Sequence, residues 1–302
     1  MPEMEMWHVN VFSPSPFGGN PAAVGFCDNA LDGAIMQSIA RIMNLSESVF
    51  ISPPIDPRAS YRARIFTTQR ELRFAVHPTI AAAFAFSQKH ELTKSDNPIR
   101  LRQECGIGIV EIESQPRPAG LSLFVTQRSS SFMQTDASRE TVARAIGCAD
   151  GDVCDGPFTV VSTGVPWLLV QLSTLDAVRT LRPDFTRIAQ LSIAAKAVGV
   201  TVFTRQTSNP AADVHLRSFA PAGGLYEDPV CGSCHGALAA YLNKNCPKTS
   251  LAFARGEILV LEQGEEINLP GISEVIARNS AGTIEFLVGG LSVVTLRGTI
   301  GW

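Results

Sequence analysis

The stretch EDPVCGSCHGALAAYL, Glu227 to Leu242, sets two cysteines three residues apart with a histidine directly behind the second. Thiolates and imidazoles ligate metals, so C-x-x-C can be half of a zinc site or a redox pair. With His235 it also spells the attachment signature of a c-type haem. Each of these needs company. A zinc centre wants a second Cys or His pair, and Cys246 alone does not make one. A redox pair of the thioredoxin kind needs its own βαβ setting, which the flanking residues do not spell. Haem attachment belongs to exported proteins, and MPEMEMWHVNVF has neither the basic segment nor the apolar core of an export signal. Seven cysteines, odd in number and irregularly spaced, read as free thiols in a reducing compartment, with no metal expected. What remains for Cys231 to His235 is a loop entering a helix. Its free N–H groups, dipole end and small residues suit it to holding an anion.

The rest of the chain limits what that anion can belong to. At 302 residues the chain is long enough for two domains of roughly 150 residues each. Apolar residues at 45% and charged residues at 18% describe a globular protein. The net charge of −3 comes with scattered Lys and Arg, so a nucleic-acid partner is not expected. No apolar run approaches the ~20 residues of a membrane span, and a cytoplasmic protein is the expectation. CGIGIVE (Cys105–Glu111) has G-x-G but neither a third glycine nor a following helix, so no dinucleotide cofactor is implied.

Strands and helices alternate along the chain. WHVNVF (Trp7–Phe12) alternates as a half-buried strand with Trp7, Val9 and Val11 on one side. PFGGNPAAVGF turns and returns as a second strand. Ala34 to Asn44 has apolar residues at helical spacing, with Asn44 as a C-cap. SESVFIS and YRARIFTT read as strands. Then the chain repeats itself. RIFTTQRELRFAVHPTIAAAFAFSQK (Arg64–Lys89) and RSFAPAGGLYEDPVCGSCHGALAAYLNK (Arg217–Lys244) align at an offset of 153, rising to 155 in their helices. Both run strand, turn, Ala-rich helix, which predicts two similar domains from a duplication. Each copy feeds a helix start, AVHPT in one and CGSCHG in the other, and the two would make a cradle for a small carboxylate. Pro78 suits a first turn, where its missing N–H costs nothing.

These residues resemble the PhzF-like family, named for the phenazine biosynthesis isomerase. The likeness runs through VNVFSPSPFGGNPAAVGF, LSESVF, RIFTTQRELRFAVHPT, RSFAPAGGLYEDPVCGSCHGALAAY, EQGEEINLPG and VGGLSVVTLRG. It implies an α+β protein of two similar domains with the diaminopimelate epimerase-like fold, related by pseudo-two-fold symmetry. The active site is expected in the crevice between them, and the protein is expected to be a homodimer. The first domain is placed at 1–127, completed by the C-terminal strand, and the second at 128–302. The implied activity is a cofactor-free isomerisation, a proton shift on a small carboxylate-bearing metabolite, cyclic or amino-acid-like.

The resemblance also assigns residues. Glu47, in LSESVF, is the implied base that takes a proton from one carbon and returns it to another. An enclosed carboxylate can serve as base and then acid in one turnover. His77 and Asp228 complete the implied catalytic set. Asn20, Val76, Cys231, Gly232 and Ser233 are the implied substrate-binding positions. On residue type alone, Glu47 reads as a surface glutamate, His77 as a cap or packing residue and Asp228 as a helix N-cap. Three positions depart from the family pattern: Val76 for Gly, Cys231 for Thr and Leu269 for Arg. A β-branched Val76 would be strained if its backbone needed φ > 0. Cys231 also raises the alternative of a thiol epimerase with one cysteine on each face of the substrate. The matching first-half position is Ala75, which carries no acid. A non-catalytic binding protein with a vestigial pocket is the other alternative.

Overall fold

The computed structural model describes residues 2–28, 31–94, 97–127, 130–245, 258–280 and 282–302. It divides into two compact units, Met1–Thr126 with Gly289–Trp302, and Gln127–Val288. Among the described residues no helix is long and apolar enough to cross a membrane.

The first unit is organised on β1 (Glu3–Val11), which pairs antiparallel with β2 (Asn20–Phe26) and with the chain's last strand, β18 (Ser292–Gly301). Residues 289–302 therefore lie with this unit. The strand is longer than its alternation suggests and is not merely half-buried, because Met4 and Met6 join Phe50 and Phe66 in a core under α1. Helix α1 (Gly33–Met43) starts on the Asp32 carboxylate, which accepts from Ala34 N–H at 2.7 Å. It ends on Asn44 in the left-handed region at φ 53°, the C-cap that the sequence predicts. The helix returns the chain to β3 (Glu47–Ser52), parallel to β2. Strand β4 (Tyr61–Phe66) is antiparallel to β3, and β5 (Glu71–Leu72) to β4. Helix α2 (Val76–Lys89) crosses to β6 (Arg100–Cys105), which pairs parallel to β4. Strands β7 (Gly108–Arg117) and β8 (Gly120–Gln127) follow as a meander. The CGIG motif is the tight turn of the β6–β7 hairpin, with Cys105 paired to Gly108.

The second unit opens with β9 (Ser131–Gln134), α3 (Arg139–Ile146) and β10 (Thr159–Ser162). From β10 onward it repeats the pairings of the first. Strand β11 (Pro166–Gln171) is antiparallel to β10. Helices α4 (Leu175–Arg179) and α5 (Phe185–Ala194) lead to β12 (Gly199–Thr204), parallel to β11. Strands β13 (Val214–Ala220) and β14 (Leu225–Asp228) are each antiparallel to the strand before. Helix α6 (Gly232–Asn245) crosses to β15 (Ile258–Gln263), parallel to β13, and β16 (Gly271–Ser280) and β17 (Thr283–Gly290) close the series.

The repeat extends to individual hydrogen bonds. Glu104 accepts the N–H groups of Ile55 and Asp56 at 2.7 and 2.9 Å. Glu262 accepts those of Ser208 and Asn209, 153 residues on, at the same 2.7 and 2.9 Å. Arg64 grips Glu71 through Nε and Nη2, and Arg217 grips Glu227 in the same two-pronged way. Each guanidinium also lies 5.2 Å from the ring two residues on, Phe66 or Phe219. Planar guanidinium suits such a fork, and stacking on a ring limits its motion. In both units the fork clips the short fifth strand beside the turn that enters the Ala-rich helix. Both helices are apolar all round and buried, α2 through Ile80 to Ala83 and α6 through Ala237 to Ala240.

Candidate active site

Parallel pairing of β2 with β3 sets Ala22 opposite Glu47, so the FGGNP turn and the LSES corner lie side by side. Gly19 makes this turn at φ +78°, where an added Cβ would stand 2.2 Å from the Val11 carbonyl oxygen. Asn10 fastens the turn from β1, its amide donating to the carbonyls of Pro16 and Gly18 at 3.0 and 2.9 Å. Asn20 is fully buried and accepts from the Ser46 hydroxyl at 3.3 Å. Glu47, the first residue of β3, has 16% of its side chain exposed and comes within 3.5 Å of His77 Nδ1 through Oε2.

His77 is the second residue of α2 and is not its cap; the N-cap is Ala75, whose side chain caps nothing. Burial drives the His77 pKa down to about 3, against a smaller upward pull from the Pro21 carbonyl. The ring is therefore neutral at neutral pH, and its contact with Glu47 is not an ion pair. Among the described residues His77 Nε2 is buried without a hydrogen-bond partner. Such an atom is costly unless something polar meets it. Val76, buried beside it, opens the helix and is not among the positive-φ residues, so the β-branched side chain is unstrained there.

In the second unit, β14 ends on the buried Asp228 and α6 begins at Gly232. The first helical bond runs from His235 N–H to the Cys231 carbonyl at 3.1 Å, so Cys231 is the N-cap and Asp228 lies before it. The N–H groups of Gly232 and Ser233 open the helix, where no intrahelical acceptor exists. The Ser233 hydroxyl is oriented by Trp167, whose Nε1–H donates to it at 3.0 Å.

The described thiols are packed within the protein. Among the described residues Cys27, Cys105, Cys148, Cys154, Cys231 and Cys234 are free, and no cluster of His, Cys, Asp or Glu could hold a metal ion. Cys246 lies outside the described residues. Cys234 is fully buried and donates to the Cys231 carbonyl at 3.2 Å. Burial holds the Cys231 thiol well above its ordinary pKa, reinforced by the neighbouring Cys234 thiol and Asp228. His235, the histidine of C-x-x-C-H, is wholly buried between Ser273 and Gln263. Residue-level reading missed Gln263 and Asn10, and met His235 only as part of a metal or haem motif. Only a polar side chain within an apolar strand or helix hinted at each of them.

Over residues 9–298 the chain matches the family described as "Phenazine biosynthesis-like protein". It belongs to that family. "Antisense-enhancing sequence 1" of Schizosaccharomyces pombe is 32% identical over 99% of both chains. The trans-2,3-dihydro-3-hydroxyanthranilate isomerase of Pseudomonas fluorescens is 31% identical over 97% of both. The crystal structure of a Bacillus anthracis PhzF family protein superposes with a TM-score of 0.89 at 24% identity, covering all of both chains. The α+β fold is thus that of the PhzF proteins. Within this family pattern, Leu269 is the third departure. It is half-buried and its N–H donates to the Gly264 carbonyl at 2.9 Å, so what the side chain contributes is bulk without charge.

Proposed function

We propose that this chain is a cofactor-independent isomerase that moves one proton between carbons of a small carboxylate-bearing metabolite. The observation that carries the reading is the Glu47–His77 pair: a mostly enclosed carboxylate 3.5 Å from an imidazole that burial keeps neutral. With a neutral neighbour, the carboxylate is the group of the pair suited to accept a proton. Glu47 takes a proton from a substrate carbon made acidic by adjacent unsaturation. The C–H electron pair passes into that unsaturation, and the protonated Glu47 delivers the proton to another carbon, so no atom is gained or lost. His77 Nε2, without a partner among the described residues, is available to a substrate hydroxyl or amino group. Asp228 and the Gly232–Ser233 helix start are the proposed holds for substrate amino and carboxylate groups. Family membership and the isomerase named among the relatives support the reaction class.

The test is Glu47→Gln, which keeps the shape of the side chain and deletes its basicity. With trans-2,3-dihydro-3-hydroxyanthranilate as the first substrate tried, turnover should fall ~10²–10⁴-fold. Incorporation of solvent deuterium at carbon should stop, while substrate affinity changes far less. A thiol mechanism gives the reverse: exchange persists in Glu47→Gln and is lost in Cys231→Ala. Persistent exchange without Glu47 ends the proposal.

A further inference from the structure

One carboxamide spans the whole loop from Asp228 to the start of α6. Gln263 Nε2 donates to the Asp228 carbonyl at 2.6 Å, and Gln263 Oε1 accepts from the Cys231 N–H at 3.1 Å. The amide cannot turn over, since a flip would set N–H against N–H and oxygen against oxygen, and both loop bonds would be lost. Its orientation dictates the next partner. His235 Nε2 lies 2.8 Å from the same Oε1, so that nitrogen must carry the proton. Nδ1 is then the acceptor, and it meets the Ser273 hydroxyl, which donates. Gln263 is 2% exposed, and His235 and Ser273 are not exposed at all, so water does not compete for these bonds. Burial lowers the His235 pKa to about 4, in keeping with a neutral ring.

From this geometry we infer that Ser273, His235 and Gln263 form a positioning relay for the substrate-binding loop. The relay fixes the imidazole in its Nε2–H tautomer and through it the backbone that presents Asp228, Gly232 and Ser233. Its part in turnover rests on the isomerase reading, but its hold on the loop does not. A histidine in C-x-x-C-H thereby has a task that involves neither metal nor haem. The loop is gripped at both ends, which keeps the helix-start amides in place before any ligand arrives.

The tautomer and the grip can both be measured without substrate. Nitrogen-15 NMR of the full chain should show His235 as the Nε2–H tautomer, with no titration between about pH 5.5 and 8. Amide hydrogen exchange at Cys231 should quicken on the order of tenfold in His235→Leu, which has the bulk without the donor. His235→Gln, which restores an N–H at similar reach, should recover most of that protection. Ser273→Ala removes one hydroxyl and little volume. It should leave the Nε2–H tautomer, still required by Gln263 Oε1, but loosen the ring and quicken Cys231 exchange, and it serves if His235→Leu does not fold. Binding of 3-hydroxyanthranilate, the aromatic counterpart of the substrate named for the relative, should weaken in parallel with lost protection. An Nδ1–H tautomer in the unaltered protein would overturn the relay. So would Cys231 exchange that Ser273→Ala leaves unchanged. A probe that fails to bind the unaltered protein counts against the substrate class, while the exchange result still decides the relay.

Discussion

His215 is a buried charge held by two carboxylates in the second unit, and its effect on stability can be worked out in advance. Its side chain is 1% exposed, with Nδ1 2.8 Å from Glu262 Oε1 and Nε2 2.7 Å from Glu266 Oε1. Burial disfavours the imidazolium, but hydrogen bonds to the two carboxylates more than offset it, and the pKa rises to about 9. Glu262 also accepts the Ser208 hydroxyl, and Arg179 and Arg217 lie within electrostatic reach of the acidic pair. A folded pKa above the unfolded 6.5 gives stability that is complete below pH 6.5 and is lost as pH rises through 9. At 1.36 kcal/mol per pH unit the loss comes to about 3 kcal/mol. Both glutamates are shifted down from 4.5, so their share is present above that pH and is lost in acid. The cluster therefore stabilises most between about pH 4.5 and 6.5. His215→Gln leaves the two buried carboxylates without the cation that hydrogen-bonds both of them, which costs about 3–5 kcal/mol near pH 6. The assay is urea unfolding at a series of pH values, followed by amide exchange in β13 and β15 so that only the second unit is read. The stability gap between the unaltered protein and His215→Gln should narrow by about 3 kcal/mol from pH 6.5 to 9. A gap that stays constant across that range would refute a charged His215.

Two further outcomes follow from other groups. Cys231 and Cys234 should resist a thiol-labelling reagent at pH 8 in the native protein, and both should react once it is unfolded. Rapid native labelling of Cys231 would show a thiolate that its burial does not allow. Gly264→Ala should destabilise the second unit by roughly 1–3 kcal/mol. At φ +91° its new Cβ would stand 2.3 Å from the Leu269 carbonyl oxygen and 2.6 Å from that of Pro229, displacing the loop that carries Asp228. Unchanged unfolding of that variant would sink the steric argument.

The sequence made the fold legible where local chemistry and tertiary position agree. Asn44 is a C-cap in both, and the Ala-rich segments become buried helices because small side chains let strands approach closely from every side. The repeat was visible because the residues that carry it, Arg64 with Phe66 and Arg217 with Phe219, do the same job in each unit. β1 was read as too short and too exposed, since alternation shows only one buried face and cannot reveal that Met4 and Met6 are covered by α1. The site was legible only as motifs. That Gln263 would reach back 35 residues to the Asp228 carbonyl is a long-range contact with no local signature. His235 invited a metal reading for the same reason: its partners, Ser273 and Gln263, are 38 and 28 residues away.

The duplication bears on the chemistry as well as the fold. The two units keep the same strand pairings, the same Glu-held turns and the same Arg–Glu clip, and each Ala-rich helix starts from an N-cap, Ala75 in one and Cys231 in the other. A two-base epimerase needs an ionisable group at both, one for each face of the carbon. Here one position has only a methyl group, and the other a thiol that burial keeps protonated. In the first unit the Glu47 carboxylate lies instead beside His77, which burial keeps neutral. The second unit's equivalent of His77 by sequence offset, in the CGS loop, has become an amide-presenting turn held by Gln263. With no ionised group at either helix start, the proposed single carboxylate and the alternative of two opposed thiols predict different results, and the Glu47→Gln and Cys231→Ala exchange measurements are the ones that separate them.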